Sequence, residues 1–195
     1  GDVTQAEIVL LEGWTFRQMR AALDAHAGVR HDTAGWTERQ IMEKLGAEGS
    51  AEGRFFPDTY LFAKGSGDLD ILKRAYRHMN NILLAEWEGR EPSLPYKSPY
   101  ETLIMASIVE KETGRSQDRT QIASVFLNRL KKGMLLQTDP TVIYGLGEKF
   151  DGNLRKRDLL ADGPYNTYTR LGLPPTPIAM PGLASVQAVM HPAAT

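Results

Sequence analysis

The chain has 195 residues, 42% hydrophobic and 24% charged, which fits a folded globular protein and excludes disordered and collagen-like classes. Its 23 basic and 24 acidic side chains nearly cancel, so no overall field draws it to nucleic acid or to an anionic membrane. It has no cysteine, which excludes disulfides, thiolate nucleophiles and cysteine metal sites. No run approaches the ~18 apolar residues of a membrane helix. Gly1-Asp2-Val3 carries no basic or apolar leader pattern, and with no starting Met the chain is expected to be a trimmed piece of a longer protein.

Residues 3–50 read as a small α/β unit. Glu7-Ile8-Val9-Leu10-Leu11 is extended, Glu12-Gly13 turns, and Thr15 with Gln18 three positions on forms a capping box that opens a helix. Thr37 and Gln40 repeat that signal for a second helix, ended by Gly46 and Gly49. The result is a βαα module. From Ala51 to Phe62, four aromatics surround a Gly and a Pro, which excludes an ordinary helix. Residues 68–88 place Leu69, Leu72, Ala75, Met79, Ile82 and Leu83 near helical spacing, as a scaffold helix would.

Ser98-Pro99-Tyr100-Glu101 joins an N-cap, a Pro at the first helical position and a Glu at the third, so a helix is expected to run to about Thr113 and leave at Gly114. A partner helix follows over 118–132 with Ile122, Val125, Phe126 and Leu130 inward and two lysines before Gly133. Beyond Gly133 the pattern breaks into turns and short apolar pieces, with prolines at 164, 174, 175, 177 and 181. Long ordered loops of this kind are often functional. The expected fold class is α+β.

Glu110 shares a helix face with Leu103, Ala106 and Ser107. Burial beside apolar groups raises a carboxyl pKa, as a general acid near neutral pH requires, and small neighbours leave room for substrate. The plainer alternative makes Glu110-Lys111-Glu112 a solvated helix end. Glu112 stands about 200° round the helix from Glu110, so the two cannot form a close catalytic pair. Asp139-Pro140 starts a short helix, with Asp139 either a plain N-cap or a second carboxylate, and Gln137 is free to bind hydroxyls or amides. Tyr165-Asn166-Thr167-Tyr168-Thr169-Arg170 alternates aromatics with amide and hydroxyl groups, the usual lining of a carbohydrate cleft, or alternatively a half-buried edge strand. His26, His31, His78 and His191 lack metal-ligand spacing, and GxGxxG, Walker, HExxH and GxSxG patterns are absent.

Six blocks occur in order: Gly53-Arg54-Phe55-Phe56-Pro57-Asp58-Thr59-Tyr60, Ala106-Ser107-Ile108-Val109-Glu110-Lys111-Glu112-Thr113, Val125-Phe126-Leu127-Asn128-Arg129-Leu130, Gln137-Thr138-Asp139-Pro140-Thr141-Val142-Ile143-Tyr144-Gly145, Tyr165-Asn166-Thr167-Tyr168 and Gly172-Leu173-Pro174-Pro175. Together they resemble the YceG-like (MltG) endolytic murein transglycosylases. The resemblance implies a LysM-like subdomain over 1–50 and a helix-rich catalytic domain with short strands and long ordered loops over 51–195. It implies that Glu110 is the single acid and base, protonating the oxygen between N-acetylmuramic acid and N-acetylglucosamine and then deprotonating the muramyl 6-hydroxyl to close a 1,6-anhydro ring. An intramolecular nucleophile needs no second close carboxylate. Gln137, Asp139, Asn166 and Tyr168 would be substrate contacts and Asn128 and Arg129 supporting groups, with no metal or cofactor. The resemblance further implies peptidoglycan glycan strands as substrate, cell-wall synthases (penicillin-binding proteins) as partners, a single-pass inner-membrane anchor with this part in the periplasm, and a further C-terminal segment beyond His191-Pro192. Two rivals stand beside it: a lysozyme-type hydrolase using Glu110, Asp139 and water, and a non-catalytic peptidoglycan-binding module that regulates a synthase.

Overall fold

The Thr15 hydroxyl accepts from the Gln18 N–H at 3.3 Å while the Gln18 side chain accepts from the Thr15 N–H at 2.9 Å; Thr37 and Gln40 repeat the exchange at 3.1 and 2.8 Å. These reciprocal caps satisfy donors that a helix start leaves free, and they open α1 (Phe16–Ala25) and α2 (Glu38–Lys44) in the computed structural model, which describes residues 4–112 and 115–194. β1 (Gln5–Val9) pairs antiparallel with β2 (Thr59–Ala63), Gln5 opposite Ala63 and Val9 opposite Thr59. Alternation turns Ile8, Tyr60 and Phe62 inward and Val9 and Leu61 outward. The strand begins and ends two residues earlier than expected, since at Leu10 the N–H leaves the ladder for the Asp58 carbonyl at 2.9 Å.

β2 comes from the aromatic segment beyond residue 50, so the first unit is βααβ. Its core joins Ile8, Met19, Leu23 and Ile41 to Phe55 and Tyr60. α3 (Asp68–Glu88) occupies the expected span and bridges two cores, giving Ile71, Leu72 and Ala75 to the first and Met79 and Leu83 to the second.

α4 (Pro99–Glu112) starts as expected, the Glu101 N–H donating to the Ser98 hydroxyl at 3.4 Å, while the Glu101 carboxylate accepts from the Lys97 N–H at 2.8 Å. The expected exit at Thr113 and Gly114 lies outside the described residues. Every residue from Thr102 to Val109 is buried. A helix apolar on all sides must be enclosed, and α4 is packed by α3, α5 (Arg119–Lys131), α6 (Asp139–Leu146) and α8 (Leu183–Met190), with α7 (Lys156–Leu160) in the intervening loop. On α5 the inward face is Ala123, Phe126 and Leu127; Val125, expected inward, is 51% exposed because it lies about 100° round from Phe126.

α8 is absent from the sequence reading. Leu183-Ala184-Ser185-Val186-Gln187-Ala188-Val189-Met190 follows Pro181-Gly182, has no side-chain cap and shows little polar-apolar contrast, yet it buries Ser185, Val186, Ala188, Val189 and Met190. Residues 165–170 form turns, not the edge strand their alternation allowed. None of the helices is long and apolar enough to cross a membrane among the described residues.

Gly53 ties the two units together. Its φ is +77°, and a Cβ there would lie 2.8 Å from Pro177 Cγ and 3.1 Å from the Ala179 carbonyl oxygen. Gly53→Ala is expected to destabilise the fold by about 1–3 kcal/mol from backbone strain alone, read as a lower denaturation midpoint; an unchanged midpoint would exclude this close approach.

Candidate active site

Glu110 lies in the last turn of α4 with its side chain 6% exposed. Its Oε1 accepts from the Gly182 N–H at 2.8 Å and the Ser185 hydroxyl at 3.1 Å, both at the start of α8, and its Oε2 accepts from the Arg119 guanidinium at 3.3 Å. A helix N-terminus and a cation are partners suited to a carboxylate anion. The expected apolar surroundings and open space are therefore corrected. One turn back, the Ser107 hydroxyl donates to the Ile104 carbonyl and accepts the Ile178 N–H at 3.0 Å. Above, the turn at Gly13 closes over the carboxyl: Gly13 N–H donates to the Met180 carbonyl and Met180 N–H to the Trp14 carbonyl, both at 2.8 Å, and a Cβ on Gly13 would stand 4.0 Å from Glu110 Cγ. Glu110 fastens the end of α4 to the start of α8.

Glu112 faces elsewhere, as two steps of a 3.6-residue period require. It is exposed, and its Oε1 accepts from the Thr138 hydroxyl at 2.5 Å. Thr138 is the N-cap residue of α6, so Asp139, one position later than the N-cap reading had it, is the first helical residue. Its carboxylate accepts from the Tyr168 hydroxyl. Burial, then that hydrogen bond and the negative charges of Asp139 and Glu112, push the Tyr168 phenol up to about 12. Arg129 from α5 donates to the Leu136 carbonyl at 3.1 Å and to Gln137 Oε1 at 3.5 Å. Gln137, Asp139 and Tyr168 are thus brought together, and the carboxylate of α4 among them is Glu112.

Below this cluster the Thr167 hydroxyl accepts the Thr138 N–H at 3.0 Å and meets the Thr141 hydroxyl at 2.9 Å, while the Gln137 N–H donates to the Thr167 carbonyl at 3.2 Å. Gln137 holds φ +52°, unique among the described non-glycine residues. Strained backbone of this kind is concentrated at functional sites. Thr138 and Thr167 escaped the sequence reading because nothing in their spacing, 29 residues apart, announces a contact.

Asn166 is corrected. It is 4% exposed; its amide nitrogen donates to the Ala161 and Leu159 carbonyls at 2.7 and 3.0 Å, and its oxygen accepts the Tyr168 N–H at 2.8 Å. With both ends spent on the backbone it braces the turn that carries Tyr168, and no group is left for a ligand.

Beside the cluster a cavity of about 570 Å³ opens between α1 and α6. Glu52, 4% exposed, lies in its wall with Tyr144, and accepts from the Phe16 N–H at 2.7 Å. Burial pushes its carboxyl from 4.5 up to about 7. The folded chain then holds this proton more tightly than the unfolded chain. Glu52's contribution to stability is complete below about pH 4.5 and is lost as pH rises through about 7, a change of roughly 3 kcal/mol. Between pH 5 and 8 the denaturation midpoint of Glu52→Gln should fall less than that of the parent protein; parallel pH slopes would refute the assignment.

The sequence profile of the YceG-like family matches residues 1–195. An endolytic murein transglycosylase of Bacillus subtilis (strain 168) is 46% identical over 142 residues, 72% of this chain and 39% of that protein. One of Streptococcus pneumoniae (strain R6) is 32% identical over 156 residues, 77% of this chain and 28% of that protein. The crystal structure of a yceG-like protein from Listeria monocytogenes aligns at a TM-score of 0.78 and 32% identity, over 99% of this chain and 69% of that one. The chain therefore spans about two fifths of the Bacillus relative's length, at 39%.

Proposed function

This chain belongs to the YceG-like family, and from that premise we propose that it cuts peptidoglycan glycan strands as an endolytic lytic transglycosylase, with Glu112 as its acid and base. The observation that carries the choice of residue is the contrast along one helix: Glu110 is sealed under Gly13 and held by three donors, while Glu112 is exposed beside Thr138, Asp139 and Tyr168.

In this reading Glu112 donates its proton to the oxygen linking N-acetylmuramic acid to N-acetylglucosamine, and that bond breaks. The muramyl 6-hydroxyl then bonds to C1 and gives its proton back to Glu112, closing the 1,6-anhydro ring with no water consumed. One carboxyl serves both halves because the nucleophile is already tethered to the reacting sugar. The Thr138 hydroxyl holds one Glu112 oxygen in place, and Asp139 and Tyr168 offer paired polar groups to the sugar. Gln137 stands at the margin, oriented by Arg129.

The βααβ order of the first unit supports reading the N-terminal part, placed at 1–50 from sequence and completed by β2, as a LysM-like subdomain ahead of the catalytic domain. A periplasmic position, an inner-membrane anchor and association with cell-wall synthases belong to the same proposal and rest on the family resemblance.

Mass spectrometry of uncrosslinked glycan strands digested by the protein tests the reading. Internal anhydro-muramyl ends that vanish with Glu112→Gln are expected. Reducing ends would make it a hydrolase, and strands bound without cleavage would make it a binding module.

A further inference from the structure

The cavity of about 570 Å³ between α1 and α6 has two kinds of wall. Pro140, Ile143 and Tyr144 of α6, with Ile178, form an apolar and aromatic side, and Thr15 and Gln18 at the start of α1 form a polar one. Between them sits Glu52, which the chemistry at Glu112 does not use. It accepts from the Phe16 N–H; the Tyr144 phenol and the Gly53 backbone bear on its titration, and it forms no ion pair among the described residues. Burying a carboxylate without a cation is costly, and such a group in the wall of a ligand-sized cavity is a candidate for contact with a ligand.

The cavity adjoins the Glu112 cluster through both helices. Lys111, in its wall, precedes Glu112 on α4, and Pro140 follows Asp139 on α6. Adjacent Cα atoms are about 3.8 Å apart, so the cavity lies within one sugar's length of the cluster.

We propose that this cavity is a second sugar subsite, taking one N-acetylated hexosamine residue of the glycan strand that runs on from the Glu112 cluster. The proposal rests on the glycan-cutting reading. The Tyr144 ring and Ile143 suit the apolar face of a sugar and an acetamido methyl, while the Glu52 carboxyl and Tyr144 hydroxyl match hydroxyl and amide N–H groups. Of the charged groups in the wall, Arg17 is paired with Glu148 at the mouth and Lys111 stands with Glu52, so the wall has no excess of cations to select an acidic ligand. A neutral sugar is therefore favoured over an acidic peptide stem.

The test titrates chitotetraose into the Glu112→Gln protein, which leaves it uncut, following backbone amide shifts by NMR and affinity by calorimetry. Shifts at Lys111, Ile143 and Gly147 are expected, together with an affinity at least tenfold lower when Ile143→Trp fills the cavity and several-fold lower with Tyr144→Phe. Absence of those shifts, or unchanged affinity in a folded Ile143→Trp protein, overturns the subsite; if Ile143→Trp does not fold, the shifts and Tyr144→Phe decide. Cleavage of glycan strands by the parent protein is scored separately. Chitotetraose held in the cavity with no anhydro products supports the subsite and removes the lyase reading, whereas anhydro products with unmoved cavity amides do the reverse.

Discussion

Glu112→Gln is expected to lower the rate of anhydro-muramyl product formation by about 10²–10⁴-fold, the range that loss of a general acid or base produces. The upper end is expected, because one carboxyl is asked to act in both halves of the reaction. Glutamine keeps the size of the side chain and an oxygen for the Thr138 hydroxyl, which donates to Glu112 at 2.5 Å, so the fold should be undisturbed while the proton is gone. Glu110→Gln should act differently. It weakens the contacts to Arg119, Gly182 and Ser185, and its loss of rate should follow its loss of folded protein. Single-turnover product formation, normalised to the folded fraction, separates the two. A folded Glu110→Gln protein that makes no product, beside a Glu112→Gln protein that does, would return the acid to Glu110.

The second large effect falls on stability. Arg119→Met is expected to cost about 3–5 kcal/mol, because it leaves the Glu110 carboxylate buried without its cation. The two side chains are 9% and 6% exposed, so little solvent is available to screen the loss. For a chain of this size the thermal midpoint should drop by roughly 10 °C. Arg119→Met combined with Glu110→Gln should recover much of it, since no buried charge is then stranded. A single variant within about 1 kcal/mol of the parent would show that Gly182 and Ser185 hold Glu110 unaided.

Both effects turn on how the end of α4 is assembled. The Gly182 N–H that seals Glu110 and the Thr138 hydroxyl that meets Glu112 come from opposite sides of one helix. Any displacement of α8 therefore moves the turn that carries Glu112 as well. In the proposed reading that coupling gives Glu110 a positioning part.

Local chemistry was legible in the residues themselves. The Thr15–Gln18 and Thr37–Gln40 boxes, the span of α3 and the start of α4 depend on hydrogen bonds and spacings within a few positions, and the structure has them where the pattern put them. The six ordered blocks were enough to identify the family, and a spacing of two was enough to set Glu110 and Glu112 on different sides of a helix. Which of the two is sealed could not be read locally, because burial depends on what packs against a residue. The lid over Glu110 is brought by Gly13 and Gly182, 97 and 72 positions away along the chain; α8, almost uniformly apolar and uncapped, takes its place only against α4; and Glu52 becomes the wall of a cavity only when Tyr144 arrives from α6. Local spacing determined the capped helices and the six blocks carried the family, while long-range packing, which alone removes water from a particular carboxyl, decided which of the two carboxyls is sealed.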